Sequence, residues 1–255
     1  MISKNLMKLV RSLDQKKGRV KEGLFVAEGP KVVGDLLGKY KPARLIATEE
    51  WFGRQTFGRR PEDVVVSEEE LRKVSFLQHP QHVVGLFPLP SSSRMDIRPS
   101  DELVLALDDV QDPGNLGTII RIADWFGIGT IVCSAHTSDA FNPKVVQATM
   151  GSIARVNIVY TDLAAFLGNL HGDVPVYGTF LDGDNLYAQT LSSNGIIVMG
   201  NEGNGISDEV GKLINRRLLI PSYPESRETA ESLNVAIATA ITCAEFRRHM
   251  SCNSV

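Results

Sequence analysis

Apolar residues along this chain come in short unbroken runs, not in long amphipathic stripes. In the first ninety residues the runs are "LFVAEG", "ARLIAT", "DVVVS" and "HVVGLF". Past residue 102 they are "LVLALDD", "TIVCSA", "RVNIVYT", "VPVYGTFL", "IIVMG" and "LLIP". Such runs, rich in β-branched residues and bounded by turn formers, predict strands. Helices are predicted between them. Residues 2–13 read as helical, and Pro30 suits the first helical position of "PKVVGDLL". "SEEELRKVSF" carries Ser67 and Glu70 in a capping-box pattern, and "VAIATAITCAEFRRHM" predicts a long final helix. Strands alternating with helices predict an α/β fold, and past residue 102 a mostly parallel sheet covered on both faces. Ligands of such sheets gather at the carboxyl ends of the strands.

"FPLPSSSRMDIRPSDE", Phe87 to Glu102, makes a poor helix or strand and a good linker. It predicts a small α/β domain over residues 1–90, a linker over 91–101 and a larger α/β domain over 102–255.

Composition changes this picture little. The chain has 255 residues and a formal net charge of −3, which argues against a uniformly basic nucleic-acid coat. A local basic patch exists near the N-terminus, where Lys4, Lys8, Arg11, Lys16, Lys17, Arg19 and Lys21 face one acid, Asp14. It is either a solvated helix face or a phosphate-contacting surface. No apolar run is long enough to span a bilayer, and the N-terminus shows no secretion signal. Cys133, Cys243 and Cys252 have no metal-ligand spacing; they read as free thiols of a reducing cytoplasm, with no metal expected.

Three loops after predicted strands could carry chemistry. In "LALDDVQDPGNLGTIIR", Pro113-Gly114 forms a turn, Asn115 is a good N-cap, and Arg121 stands alone among apolar residues. By themselves these could be a capped helix with a surface Arg. In "MGNEGNGIS" the glycines require tight turns or a close ligand. The loop lacks a P-loop lysine and has Glu202 at its middle, which repels polyphosphate. A neutral or cationic ligand suits it, and S-adenosylmethionine, with a sulfonium, an amine and no phosphate, is such a ligand. In "LLIPSYPESRETAESLNVA", Ser232 and Asn234 are both plausible caps of the last helix, and Leu233 could be a hydrophobic staple. The G-x-G-x-x-G of a dinucleotide-binding unit is absent, which weighs against a nucleotide-dependent oxidoreductase.

N-x-G-x-x-x-R, then G-N-E-G-x-G-I-S, then I-P…S-L-N-V-A closely resembles, in content and order, the three motifs of the SpoU (TrmH) family of RNA ribose 2′-O-methyltransferases. "FNPKVVQATMGSIARV" also looks like a family segment. "KKGRVKEGLFVAEGPKVV" and "HPQHVVGLF" are similar to the N-terminal RNA-binding domain of one branch. One departure is Ala236, where many members carry Ser.

The resemblance implies a C-terminal trefoil-knotted (SPOUT-type) methyltransferase domain, a homodimer and S-adenosylmethionine as cofactor. It implies catalytic roles for Asn115, Arg121, Glu202, Ser232 and Asn234. It assigns cofactor binding to Thr179, Leu181, Gly200, Asn201, Gly203, Leu219, Ile220 and Leu233. Lys16, Lys17, Arg19 and Arg121 are the implied RNA contacts, and ribosomal RNA is favoured over tRNA by family habit. Arg121 either accepts a proton from the ribose hydroxyl after perturbation by its surroundings, or clamps phosphate and stabilises the developing alkoxide. The alternative is a non-catalytic RNA-binding or ribosome-assembly factor on the same fold.

Overall fold

The computed structural model describes residues 2–90, 97–224 and 230–252. Most of the expected linker, residues 91–96, and residues 225–229 of the third loop lie outside the described residues.

The first part of the chain forms α1 (Lys4–Ser12), α2 (Lys16–Glu22), β1 (Leu24–Glu28), α3 (Pro30–Leu37), β2 (Arg44–Ala47), α4 (Glu49–Gly53), β3 (Val64–Val65), α5 (Glu68–Arg72) and β4 (Val83–Pro88). It continues with β5 (Leu103–Leu107), α6 (Pro113–Trp125), β6 (Thr130–Cys133), α7 (Pro143–Ala148), β7 (Asn157–Tyr160), α8 (Leu163–Gly168), β8 (Val176–Asn185), β9 (Gly195–Met199), α9 (Asp208–Gly211), β10 (Arg216–Leu219) and α10 (Val235–Cys252). Every apolar run singled out above overlaps one of these strands.

The chain folds into two compact units. The first comprises Met1–Ser91 together with Asp139–Ala154, a segment that contains α7. Its sheet has the order β1-β4-β2-β3, with β4 antiparallel to β1 and β2, and β3 parallel to β2. Leu6, Val10 and Leu13 recur at helical spacing and bury one face of α1 against Val26, Ile46, Val84 and Leu86. Pro30 is the first residue of α3, and the Ser67–Glu70 capping box is formed. α7 packs on β1, and Phe141 meets the ring of Phe25 at 5.0 Å between centroids.

The second unit comprises Ser92–Ser138 and Arg155–Val255. Its six-stranded sheet has the order β10-β8-β9-β5-β6-β7, and every pairing is parallel. β5, β6 and β9 are buried at every position, as central strands covered on both faces must be. The chain leaves β5 toward β6 and β7, then returns on its other side through β8 and β9. β5 and β9 therefore flank the switch point of the sheet, where ligand crevices open. On one face Val104, Ala106, Val132, Ile196 and Val198 pack against Leu163, Leu167 and Val210. α10 packs on α6 and on the short turn Leu186–Ala188 that follows β8. No helix among the described residues is long and apolar enough to cross a membrane. Cys133 and Cys243 are buried free thiols.

Candidate active site

The switch point carries two of the three loops. β5 ends at Leu107, level with Met199 at the end of β9. Asp108 follows, and its backbone N–H donates to the Met199 carbonyl at 2.9 Å. The buried Asp108 carboxylate accepts from the backbone N–H of Ser207 at 2.8 Å, holding the far end of the second loop. Asp109 adopts a left-handed conformation, φ 59°, which a non-glycine residue keeps only when its surroundings impose it. Those surroundings are visible. The Ser134 hydroxyl donates to the Asp109 carboxylate at 2.6 Å and accepts from its backbone N–H at 2.9 Å. The Asp109 carbonyl in turn accepts from Asn201 Nδ2 at 2.7 Å, which fixes the near end of the second loop.

Within that loop, Asn201 Oδ1 accepts from the backbone N–H groups of Gly203 and Asn204, at 2.9 and 3.0 Å. Asn201 and Gly205 exchange a pair of backbone hydrogen bonds. The turn is so tight that a Cβ on Gly200 would lie 2.2 Å from the Gly205 carbonyl carbon. Only glycine fits there.

The loop aims Glu202 at the start of α6. Asp112 is the true N-cap of that helix, its carboxylate accepting from the Asn115 backbone N–H at 2.7 Å. This corrects the expectation that Asn115 caps the helix: Asp112 sits one residue before Pro113 and performs that task. The Asn115 side chain is thereby released for other bonds. Its Nδ2 donates to Glu202 Oε1 at 2.9 Å, and its Oδ1 accepts from Asn234 Nδ2 at 3.0 Å. Asn234 caps α10, with Oδ1 accepting from the backbone N–H groups of Ala236 and Ile237. A chain Asn234–Asn115–Glu202 thus joins the three loops.

Residues 102–244 match the model of the SpoU rRNA Methylase family. The chain belongs to this family. Residues 4–85 match the MRM3-like substrate binding domain. Over 246 residues the chain is 32% identical to the Bacillus subtilis protein named 23S rRNA (guanosine(2553)-2′-O)-methyltransferase, covering 93% of this chain and 94% of that one. Among solved structures, it matches a TrmH-family protein from Porphyromonas gingivalis at 41% identity and a TM-score of 0.87, covering 97% of this chain and 99% of the other. An S-adenosylmethionine-bound rRNA methyltransferase from Sinorhizobium meliloti matches at 35% identity and a TM-score of 0.86, covering 98% and 97%.

The SpoU motif residues do not all behave alike. Asn115, Glu202 and Asn234 meet in the chain of bonds just described. Arg121 is exposed on α6 and makes no hydrogen bond or ion pair among the described residues. Ser232 and Leu233 are exposed ahead of α10, and the cap there is Asn234. Thr179 is half-buried beside Met199, and Leu181 is exposed on β8. Leu219 and Ile220 are half-buried at the end of β10, next to β8. The Asn201 side chain is hydrogen-bonded within the loop and to the Asp109 carbonyl, and so shapes the loop.

Asp108, Asp109, Asp112 and Ser134 also hold these loops in place, and none of them is a motif residue. The paired aspartates after β5 were a visible signal, since charged residues following a buried strand must find partners.

Arg19 corrects another expectation. It is 2% exposed, its Nη1 donates to the carbonyls of Leu13 and Asp14 at 2.7 Å each, and its Nη2 pairs with Asp139 at 2.6 Å. A guanidinium committed in this way holds the α1–α2 turn to the Asp139–Ala154 segment and does not reach a phosphate. Lys16 and Lys17 are exposed on α2.

Proposed function

We propose that the protein transfers a methyl group from S-adenosylmethionine to a ribose 2′-hydroxyl of ribosomal RNA, with 23S rRNA the first substrate to test. The observation that carries this reading is the bonded chain Asn234–Asn115–Glu202, which brings together one polar residue from each of the three SpoU motifs.

The residues present fit the cofactor. Along β8 and past the ends of its neighbours β9 and β10 lie main chain, Thr179, Leu181, Leu219, Ile220 and Glu202, with Asp184 and the Asp182–Arg217 ion pair on the same strands. That donor set contains no lysine, so it suits an uncharged base and a cation and disfavours polyphosphate. Thr179, Leu181, Gly200, Asn201, Gly203, Leu219, Ile220 and Leu233 are the residues assigned to hold it. When bound, S-adenosylmethionine supplies a methyl carbon activated by a sulfonium leaving group. Asn115 and Glu202 fix the start of α6 against the second loop, which orients the groups that receive the ribose. Arg121 is a poor base, because a guanidinium keeps its proton. It binds the substrate phosphate and stabilises negative charge growing on the ribose oxygen. Ser232 contributes a hydroxyl at the mouth of α10. No metal is required.

The protein acts as a homodimer in the cytoplasm, with Arg121 facing the partner's cofactor. Exposed Gly114, Thr118, Arg121 and Trp125 form one stripe of α6, and Ile237 lies exposed on α10, the helix that packs against it. Trp125 is 85% and Ile237 53% exposed, so two large apolar side chains await a cover. The knotted path belongs to the same reading. It is supported by the pairing of Leu218 in β10 with Asp184 in the last part of β8, and by α10 lying on the turn that follows.

Incubation with ribosomal RNA and methyl-labelled S-adenosylmethionine tests the proposal. Label is expected at a ribose 2′-oxygen, seen as an alkali-resistant dinucleotide. Tight RNA binding with no transfer would instead support the non-catalytic alternative.

A further inference from the structure

The first unit holds a second feature that the three motifs do not use. Between the end of α3 and the segment after α4 lies a cleft of about 430 Å³, within the range of small-ligand sites. Lys39, Tyr40, Lys41, Leu45, Phe57 and Arg60 are among the residues that line it. No carboxylate lines it.

The walls are fixed before any ligand arrives. Arg60 Nη1 donates to the Pro42 carbonyl at 2.5 Å, and Arg60 Nη2 donates to Asp63 at 2.6 Å. Asp63, whose side chain is fully buried, also accepts from the Leu45 backbone N–H at 2.9 Å. Arg60 is thus balanced by Asp63 and ties one wall to the other. Phe57, 39% exposed, rests edge-on against the buried Trp51 at 6.2 Å between centroids. Tyr40 is half-buried, with Lys39 Nζ 5.8 Å from its ring centre. Neither Lys39 nor Lys41 has an ion pair among the described residues.

Two aromatic rings beside two lysines that make no ion pair among the described residues, with the lining arginine balanced by Asp63, are the chemistry of single-stranded nucleic acid binding. We propose that this cleft receives one unpaired nucleotide of the RNA substrate, its base against Tyr40 and Phe57 and its flanking phosphates on Lys39 and Lys41. The inference rests on the reading of the protein as an RNA methyltransferase, and it adds a contact separate from Lys16 and Lys17. A cleft that seats one flipped-out base selects RNA with an unpaired nucleotide, which a helix-face patch alone cannot do.

The test uses the full-length protein, a single-stranded RNA oligonucleotide and a fully paired RNA duplex, with methyl transfer to ribosomal RNA measured in parallel. The Lys39→Ala/Lys41→Ala double variant is expected to flatten the salt dependence of single-strand binding by about 1.4 in slope, the value for two phosphate contacts. Phe57→Leu is expected to weaken single-strand binding at least about fivefold with the slope unchanged. Thermal melting of each variant at the wild-type temperature separates lost binding from lost folding, and Tyr40→Phe, which keeps the ring, is expected to bind as wild type. If the lysine and Phe57 variants bind the single strand with wild-type affinity and slope while the wild type methylates RNA, the cleft is refuted and the methyltransferase reading stands. If the wild type binds RNA through the cleft yet transfers no methyl, the methyltransferase reading fails and the cleft stands. Equal loss on the single strand and the duplex also overturns the proposal, since only an unpaired base can enter.

Discussion

Asn115 Nδ2 donates to Glu202 Oε1 at 2.9 Å, joining the first turn of α6 to the glycine-rich loop after β9. The two residues are 87 apart in sequence, and Asn115 Oδ1 also accepts from Asn234 Nδ2. A bond between a neutral amide and a carboxylate at a site of this kind is charge-assisted, and it couples its partners energetically. Asn115→Ala and Glu202→Ala are each expected to lower kcat at least about tenfold, and the double variant is expected to be little worse than the poorer single one. The coupling read from that double-mutant cycle is about 1 kcal/mol or more. Additive losses would show that the two residues act independently.

Arg121 stands in the opposite condition. It is exposed, without a partner among the described residues, so its removal leaves no buried group stranded. Arg121→Lys keeps the charge and loses the planar fork that grips phosphate in two places. Turnover is expected to fall by about a hundredfold or more, while unfolding by urea stays within about 0.5 kcal/mol of wild type. Single-turnover kinetics at saturating RNA checks it, and near-native turnover with normal RNA binding would remove Arg121 from the mechanism.

These two cases show what the sequence made legible. The strands could be read because each is an apolar run between turn formers, and the parallel order of the second unit's sheet followed from helices lying between its strands, whereas in the first unit β4 runs antiparallel to β1 and β2. The three loops could be read because they follow strands and carry residues that a simple turn does not need. Side-chain partnership could not be read. Whether Asn115 caps its helix or frees its amide depends on Asp112 three residues earlier, and both carry a good capping side chain. Whether Arg19 meets a phosphate or Asp139 depends on a contact 120 residues away. No local pattern reports such a contact. The same is true of residues 139–154, which follow β6 in the chain and pack in the first unit.

The difference between Arg19 and its lysine neighbours is itself testable. Lys16→Ala/Lys17→Ala is expected to reduce the salt slope of rRNA binding by about 2, the value for two lost contacts on a duplex, with stability unchanged. Arg19→Ala leaves Asp139 unpaired and two main-chain carbonyls without their donor. It is expected to cost about 3 kcal/mol of stability and to leave the salt slope of the folded fraction as it was. Denaturant titration and binding at several salt concentrations check both. A stable Arg19→Ala protein with a flattened slope would return Arg19 to the RNA surface.

Asp63 gives the first unit a dependence on acid. Burial alone would raise its carboxyl, but the Arg60 side chain and the backbone N–H groups of Arg60 and Leu45 outweigh burial and hold it below its usual value of 3.8. The folded state therefore favours the ionised form more than the unfolded state does. That contribution to stability is complete above pH 3.8 and is lost as pH falls through the lower value in the folded protein. Asp63→Asn keeps the size of the side chain and an acceptor for Leu45, and gives up the charge facing Arg60. At pH 7 the variant is expected to be less stable by about 2 kcal/mol. On acidification below pH 3.8 the wild type loses what the variant never had, so the gap between them narrows. Urea denaturation of both proteins at pH 7 and at pH 3 measures it, and a gap of equal size at the two pH values would show that Asp63 acts through shape and not through charge.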